Sequence, residues 1–348
     1  MFIMKQLNET TNVNIEESFD VSTGHHSVIQ KGNVTTNNVY ALQLWNNQSD
    51  IKVFKGTRSY STNCNKLVFW GTNLAGHHTQ TFEFANAGDQ HHWFIGTKPV
   101  NDWCTQIARI DLTKQNVQSP HTTNLDFPRL AHLNRIGNQP YDGSLMYRVE
   151  AAVSPDYQKL LIMTVDKNYT AHFTFYDLPT INQALDSVEA NSPQKRYVSM
   201  ENQPLTGDSN FQSFSVDNFY NPDDVAGKDN YGSTNEITNS IQGVDIDNSG
   251  NIYISCQPSP TKINKKYVGH HKQIIKIPYY AHDDLSSWIS VNLSQYAKEN
   301  SNTFDLPKFH SEVESIQIIS ENYGYLTISY HRDSDGLTTL SRIFKISW

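Results

Sequence analysis

Three features of the sequence predict an all-β fold, a five-bladed β-propeller. Short segments rich in β-branched and aromatic residues alternate with turn clusters of Asn, Asp, Ser and Gly, most clearly in SIQGVDIDNSGNIYIS at residues 240–255, the pattern of a β-hairpin. The first strand of this hairpin recurs elsewhere in the same register. Finally, 348 residues is long for one core but usual for a propeller, whose sheets lie radially around a channel.

In each copy of the recurring strand, an amide or acid is followed by a small residue and then by mostly apolar residues. IQGVDI (Ile241–Ile246) has close counterparts in TQTFEF at 79–84, VEAAVS at 149–154 and VESIQI at 313–318. HSVIQ at 26–30 is a looser fifth copy. Irregularly spaced copies of a small β unit are typical of a propeller, so five copies predict five blades in a single domain, residues 1–348.

The remaining strands follow from the same alternation of apolar residues and turns. In chain order, we predict blade one at 26–30, 39–44, 51–54 and 67–70; blade two at 79–84, 92–97, 105–112 and within 122–127; blade three from 149–154 through the next two strands, with a fourth near 196–200; blade four at 241–246, its hairpin partner, 273–277 and 288–293; and blade five at 313–318, 323–330 and 340–346. A helix is predicted only at 178–190, where apolar residues recur at helical spacing behind Pro179.

The two chain ends are predicted to pair. Blade five has three strands, and the strand-like segment 13–19 precedes the first blade without a blade of its own. Pairing the two supplies the missing strand and removes an open sheet edge. The N-terminal strand is therefore expected to close the ring.

Composition and charge limit the class of partner. The formal net charge is −8, and we identify no cluster of Lys and Arg of the kind that binds nucleic acid. The three cysteines, Cys64, Cys104 and Cys256, match no metal or redox spacing. No apolar run approaches the roughly 20 residues of a transmembrane helix, and no signal peptide is visible. If the protein leaves its cell, we expect it to do so by another route or by cell lysis.

Five polar residues are expected to form a ring in the channel, because the first strand of each propeller blade lines it. They are His26, Gln80, Glu150, Gln242 and Glu314. Such a ring is compatible with a structural network of hydrogen bonds, with the floor of a ligand-binding site, or with a catalytic or metal site. Only two of the five are acids, so a channel calcium ion, which takes 6 to 8 oxygen ligands, is not predicted.

The loops that lead into the first strands carry a second candidate set. Its members are His25, His77, Arg148, His310 and Glu312, which we expect on one face of the propeller as ligand-binding residues. The polar segment 216–239, with embedded aromatic residues, is either a flexible loop or a binding loop over the same face. Aromatic rings beside amides and acids suit contacts with sugars.

Four His-His pairs raise the question of zinc. They are His25-His26, His77-His78, His91-His92 and His270-His271. Neighbours on a strand point to opposite faces, so one pair cannot chelate an ion. The sequence therefore predicts no metal and no cofactor.

Long motifs distributed over the chain resemble the helveticin J family, large heat-labile bacteriocins of lactobacilli. The resemblance is carried by KQLNETTNV, GHHTQTFEFA, WFIGTKP, QIARIDL, DFPRL, EAAVSPDY, NSIQGVDIDNSGNIYIS, HHKQIIKIPYYA and HSEVESIQII, and runs from Lys5 to the terminal ISW. It implies a secreted protein that kills or inhibits related bacteria. It implies no catalytic residues.

Two classes of function are compatible with these observations. In the first, the protein is a binding module that attaches to the envelope of a sensitive bacterium through glycan or another cell-wall polymer. In the second, it is a glycoside hydrolase acting on envelope polysaccharide, with Glu150 and Glu314 as the pair of carboxylates that such enzymes require. No nucleophile motif accompanies them, so binding is the favoured interpretation.

Overall fold

The protein is described here by a computed structural model that covers residues 7–86, 88, 91–100, 102–191, 196–202, 213–217, 219, 240–300 and 303–348. Within these residues the chain is mostly strand, with five sheets of four or five strands, one two-stranded sheet and two α-helices. The fold is a five-bladed β-propeller, as the sequence predicts.

The strands are short and separated by tight turns, in keeping with the abundance of Asn, Asp, Ser and Gly. In the first half of the chain they are β1 (Asn8–Thr10), β2 (Asn14–Ser22), β3 (Ile29–Val34), β4 (Asn38–Trp45), β5 (Asp50–Thr57), β6 (Ser61–Asn63), β7 (Lys66–Gly71), β8 (Phe82–Phe84), β9 (His92–Val100), β10 (Trp103–Asp111), β11 (Arg129–Ala131), β12 (Met146–Val153), β13 (Lys159–Asp166) and β14 (Ala171–Asp177). In the second half they are β15 (Tyr197–Ser199), β16 (Ser213–Val216), β17 (Ile241–Ile246), β18 (Ile252–Cys256), β19 (Thr261–Ile263), β20 (Lys266–Val268), β21 (Gln273–Ile277), β22 (Ile289–Asn292), β23 (Phe309–Ser320), β24 (Tyr323–Arg332) and β25 (Thr338–Ser347). The helices are α1 (Leu178–Asn191) and α2 (Leu293–Glu299).

The chain divides into two compact units. Unit 1 comprises Met1–Val39, Gly56–Asn65 and Phe219–Trp348, and unit 2 comprises Tyr40–Lys55 and Lys66–Asn218. Each unit has its own buried apolar core. In unit 1 the aliphatic residues of β23 and β24 pack with Phe304 and Phe344, whereas in unit 2 the residues of β12 and β13 pack against α1.

Unit 1 contains the sheet that joins the chain ends. Its strand order is β23-β24-β25-β2-β6, and β2 pairs antiparallel with β25 from Asn14 opposite Ser347 to Val21 opposite Ser341. The predicted closure by segment 13–19 is thus confirmed. On its other side β2 pairs parallel with β6, which the sequence does not predict. The second large sheet of unit 1 has the order β1-β22-β21-β18-β17.

Unit 2 contains two complete sheets, and here one predicted strand belongs to a different blade. The sheets have the orders β15-β11-β10-β9-β8 and β12-β13-β14-β16. Segment 196–200, predicted as the fourth strand of blade three, instead forms β15, which pairs parallel with β11 of blade two. The fourth strand of blade three is β16, which pairs antiparallel with β14. The prediction was wrong because propensity identifies a strand but not its partner.

Two further boundaries differ from the predictions. Segment 122–127, expected to hold a strand of blade two, contains a 3₁₀ turn at Asn124–Asp126, and the strand β11 follows it. The predicted helix at 178–190 is confirmed as α1, but the described residues hold a second helix, α2. The side chain of Asn292 caps α2 by accepting a hydrogen bond from the Gln295 amide.

The three cysteines are all buried, and the helices α1 and α2 have 14 and 7 residues. Cys64, Cys104 and Cys256 are buried and free. Among the described residues, neither helix has the length and apolar character needed to span a membrane.

Candidate functional site

Glu150, on β12 of unit 2, is the centre of a buried hydrogen-bond network. Its side chain is 1% exposed and accepts hydrogen bonds from the Arg148 guanidinium (2.9 Å), the Gln80 amide (3.1 Å) and the Thr81 hydroxyl (2.6 Å). The Thr81 hydroxyl in turn accepts a hydrogen bond from the Ala151 amide at 2.8 Å. Thr81 and Ala151, the small residues that follow Gln80 and Glu150, therefore bond to each other.

Arg148 is fully buried and contacts both polar and aromatic groups. Its guanidinium donates a second hydrogen bond to Gln80 Oε1 at 2.8 Å and lies over the ring of Trp103 at 3.7 Å. The ring of His78 also stacks on Trp103, with centroids 3.7 Å apart. A buried ion pair with this many satisfied groups is the arrangement that a structural role requires.

This geometry corrects the expected position of Arg148. The sequence places Arg148 on a loop face, whereas the structure places it on β12 with 0% exposure. The register of β12 shifts between Met146 and Arg148, and Met146, Arg148 and Glu150 are buried at every second position of the strand. Neither Arg148 nor Glu150 can therefore reach a ligand at the surface.

Acid is expected to destabilise the protein through His78. Burial, reinforced by the positive charge of Arg148, lowers the pKa of His78 to about 3, from 6.5. Above pH 6.5 the imidazole is neutral in both the folded and unfolded states, whereas between pH 6.5 and 3 only the unfolded state takes up the proton. The free energy of unfolding therefore decreases as the pH falls, by up to about 1.4 kcal/mol per pH unit, and levels off below the pKa of His78 in the folded state.

The measurement is urea denaturation of the wild type and the His78→Phe variant between pH 7 and 4. Phenylalanine preserves the stack on Trp103 but cannot take up a proton. As the pH falls, the free energy of unfolding is therefore expected to decrease more for the wild type than for the variant. Parallel pH profiles for the two proteins would refute the assignment.

In unit 1, predicted residues of both sets lie together on β23. His310, Glu312 and Glu314 follow one another at every second position, and His331 on the neighbouring β24 pairs with His310. His331 Nε2 lies 3.5 Å from Glu312 Oε2, and the rings of His310 and His331 stack with centroids 5.1 Å apart. We call Glu312, Glu314 and His331 the β23–β24 cluster.

Burial dominates the electrostatics of this cluster. Glu314 is 2% exposed, and desolvation, reinforced by the negative charge of Glu312, raises its pKa well above the usual value. Burial likewise lowers the pKa of His310, against the opposing effect of its hydrogen bond to Asp333. Glu314 is therefore held in an environment that opposes an isolated negative charge.

A pocket of about 290 Å³ lies next to His310 and is the candidate ligand site of unit 1. Its walls include Tyr267, His270, Lys272, Asp305, His310 and Asp333. The Tyr267 and His310 rings are nearly parallel, with centroids 5.6 Å apart, and Lys272 Nζ lies 3.1 Å from Asp305 Oδ1. We call it the Tyr267 pocket, and it combines flat aromatic surface with charged hydrogen-bonding groups.

A basic β-hairpin forms one side of the Tyr267 pocket. Strands β19 and β20 are joined by Asn264 and Lys265, which both have positive φ (49° and 67°), as the two central residues of a type I′ turn do. The hairpin carries the exposed residues Lys262, Lys265 and Lys266 and presents Ile263 with 55% exposure. We call it the lysine hairpin; it is a local basic cluster, contrary to the expectation that the chain has none.

The other predicted residues lie outside these two groups. His25 and His26 are exposed in the turn before β3, and His77 is partly buried in a positive-φ conformation. Gln242 lies at a bulge of β17 and donates to the Gln257 carbonyl at 2.9 Å. Most of segment 216–239, including Tyr220 and Tyr231, lies outside the described residues.

His26 does not lie on the first strand of its sheet, where Lys31 occupies the polar position instead. Strand β3 begins at Ile29, and the Gly32 amide donates to the Ser315 hydroxyl at 3.2 Å, so Gly32 takes the place of the small residue. Lys31 before it is completely buried and donates to the Ile316 carbonyl at 2.7 Å. The Lys-Gly pair was the available signal, but it does not match a pattern that requires an amide or acid.

Comparison with known proteins gives a relative with a closely similar sequence. Bacteriocin helveticin-J of Lactobacillus helveticus is 46% identical over 363 aligned residues, which cover 99% of this chain and all of that protein. A sequence model of the family described as Bacteriocin helveticin-J matches residues 9–348.

Solved structures resemble the chain only distantly. An α-L-arabinofuranosidase of Podospora anserina, determined in complex with cellotriose, is 9% identical with a TM-score of 0.45, over 95% of this chain and 97% of that chain. The catalytic domain of an α-L-arabinofuranosidase of Coprinopsis cinerea is 11% identical with a TM-score of 0.43, over the same shares. Likenesses this weak carry no functional information, whereas the sequence matches are decisive: the chain belongs to the bacteriocin helveticin-J family.

Proposed function

We propose that this protein is a secreted antibacterial protein that attaches to the envelope of target bacteria by binding a cell-wall polymer. Membership of a bacteriocin family supports the antibacterial role. The Tyr267 pocket beside the lysine hairpin is the observation that carries the docking proposal. In this proposal the pocket binds a sugar residue of the polymer, and the hairpin contacts phosphate or carboxylate groups of the same polymer.

The walls of the pocket suit a sugar ring. The part of the Tyr267 ring that lines the pocket offers an apolar surface, on which the axial hydrogens of a sugar can pack. Its position is fixed, because its backbone amide donates to the Asp333 carbonyl at 2.9 Å and its ring packs over Gly336. Asp305, Asp333 and Lys272 provide acceptors and a donor for hydroxyl groups.

The charge of the hairpin favours an anionic polymer. Three lysines within five residues stand out in a chain of formal net charge −8, so the hairpin is a local positive site on a negative protein. Envelope polymers rich in phosphate or carboxylate are attracted to such a site and repelled elsewhere. Exposed Ile263 at the hairpin adds an apolar contact.

The network around Glu150 argues for attachment rather than hydrolysis. The alternative interpretation requires Glu150 as a general acid or base, within hydrogen-bond reach of a substrate. Its carboxylate is 1% exposed, and both of its oxygens already accept hydrogen bonds from protein groups. These contacts support a structural role for Glu150 and a docking function without bond cleavage.

Removing the lysine charges of the hairpin is expected to weaken attachment. In the triple variant Lys262→Gln, Lys265→Gln, Lys266→Gln, we expect about a 10-fold loss of affinity for purified cell walls at low salt, since each exposed charge contributes up to roughly 1 kcal/mol. The difference in affinity between the wild type and the triple variant should be smaller at high salt, where exposed charges are screened. Co-sedimentation with purified walls measures the bound fraction.

The matched control is a variant with the same change in net charge, made by substitutions outside the hairpin. Lys66, Lys167 and Lys298 are exposed and lie outside the hairpin, and their triple Gln variant is expected to bind like the wild type. If both triple variants lost affinity equally, net charge rather than the hairpin would govern attachment. If neither did, the hairpin would have no part in docking.

A further inference from the structure

The β23–β24 cluster has a composition and spacing suited to a metal ion. One carboxylate oxygen from Glu312, one from Glu314 and a ring nitrogen of His331 lie within 4.8 Å of one another. The three residues come from two adjacent strands whose backbones are fixed by the sheet. A rigid support of this kind holds donor atoms in place before a ligand arrives.

A β-bulge brings the second carboxylate into the cluster. On β23, Val313 is opposite Ile328 and Ser315 is opposite Thr327, which leaves Glu314 as the extra residue. A bulge re-aims the side chain of its extra residue. Glu314 thereby joins Glu312 and His331 at one place in the sheet.

Two of the three donor atoms are buried and have no hydrogen bond among the described residues, although Glu312 Oε2 lies 3.5 Å from His331 Nε2. Glu314 Oε1 and His331 Nε2 are both buried atoms with no hydrogen-bond partner among the described residues, and their residues are 2% and 6% exposed. The other ring nitrogen of His331, Nδ1, lies 3.1 Å from the Thr338 hydroxyl, which fixes the orientation of the ring. A buried polar atom without a partner is costly unless something else binds it.

We propose that Glu312, Glu314 and His331 bind a divalent transition-metal ion, with Zn²⁺ as the best fit. One imidazole and two carboxylates are ligands that zinc accepts, whereas calcium requires 6 to 8 oxygens. In a tetrahedral zinc site with bonds near 2.1 Å, neighbouring donor atoms lie about 3.4 Å apart. The separation of 3.5 Å between His331 Nε2 and Glu312 Oε2 fits this geometry.

An ion has a route to this site. The Glu312 side chain is 15% exposed, and His310, which stacks on His331, also lines the Tyr267 pocket. Three protein ligands leave a fourth position of a tetrahedral zinc ion for water or for an oxygen of a bound molecule. The ion would cross-link β23 to β24 beside the pocket.

The test is titration of the chelator-treated full-length protein with ZnCl₂ by isothermal calorimetry, with CaCl₂ as a comparison. We expect one zinc ion per chain and a rise of several degrees in the melting temperature, with no comparable response to calcium. The Glu314→Gln and His331→Gln variants are each expected to lose affinity by about 100-fold or more, because each removes a ligand. Near-ultraviolet circular dichroism confirms that the variants are folded.

A control and a spectroscopic measurement complete the test. Glu299→Gln, at the exposed end of α2, is expected to bind zinc like the wild type. X-ray absorption of the zinc complex is expected to show only nitrogen and oxygen ligands, with a contribution from imidazole. Failure of the wild type to bind zinc, or equal binding by the Glu314→Gln variant, would overturn the proposal, since the ion would then be absent or held by other histidines.

Discussion

We expect the Arg148→Ala substitution to lower the free energy of unfolding by about 3 to 5 kcal/mol. The substitution removes the guanidinium that lies 2.9 Å from Glu150 Oε1 and 3.7 Å from the Trp103 ring, and leaves the Glu150 charge buried. Since domains are typically stable by only 5 to 15 kcal/mol, the loss is large. Urea denaturation at pH 7 measures it.

A double-mutant cycle separates the ion pair from the loss of packing. The cycle consists of the single variants Arg148→Met and Glu150→Gln and the double variant that combines them. The double variant leaves no unpaired charge, so its destabilisation is expected to be smaller than the sum of these two single variants by about 2 kcal/mol. Arg135→Ala is the control, because its ion pair with Glu201 is 53% and 40% exposed and is expected to contribute under about 1 kcal/mol. Additive effects of Arg148 and Glu150 would show that the buried pair is not coupled.

Deletion of residues 1–20 is expected to abolish cooperative folding. It removes β1 and most of β2, and leaves β25 and β6 with unpaired edges. It also removes Phe19, which is 2% exposed, and the carboxylate of Asp20, which accepts a hydrogen bond from Arg342 at 2.7 Å. Unpaired sheet edges and lost burial both favour aggregation and unfolding.

Calorimetry measures the outcome of this deletion. A shorter deletion of residues 1–6 keeps β1 and β2 intact and is expected to melt like the full chain, in one transition. If the protein lacking residues 1–20 melted in the same transition at the same temperature, β2 would not be needed to complete its sheet.

Sequence patterns predicted most of the long strands because period-two alternation and turn residues are local signals. Val39 to Leu44 and Tyr323 to Tyr330, for example, lie within β4 and β24. The strands β6 and β15 were missed or misassigned because three residues are too few to show a period. Their parallel pairing with β2 and β11 depends on contacts distant in sequence.

The candidate site was less predictable, because burial of a charged residue depends on its partners. Arg148 was expected in a loop, but Glu150, Gln80 and Trp103 supply the interactions that allow it to be buried. His331 was not singled out, since its relation to Glu312 exists only across two strands. Lys31 and the lysine hairpin are visible in the sequence, but a pattern built on amides and acids leaves lysine out.

We expect the protein to attach to the envelope through the Tyr267 pocket and the lysine hairpin without cutting a bond. The most direct measurement follows sedimentable protein and released reducing ends in the same incubation of purified cell walls with the wild type and the Tyr267→Ala variant, with Tyr280→Ala as an exposed control. We predict saturable binding by the wild type and Tyr280→Ala, loss of binding by Tyr267→Ala, and no reducing ends above background. Reducing ends that accumulate in proportion to the wild-type protein, or undiminished binding by Tyr267→Ala, would contradict the account.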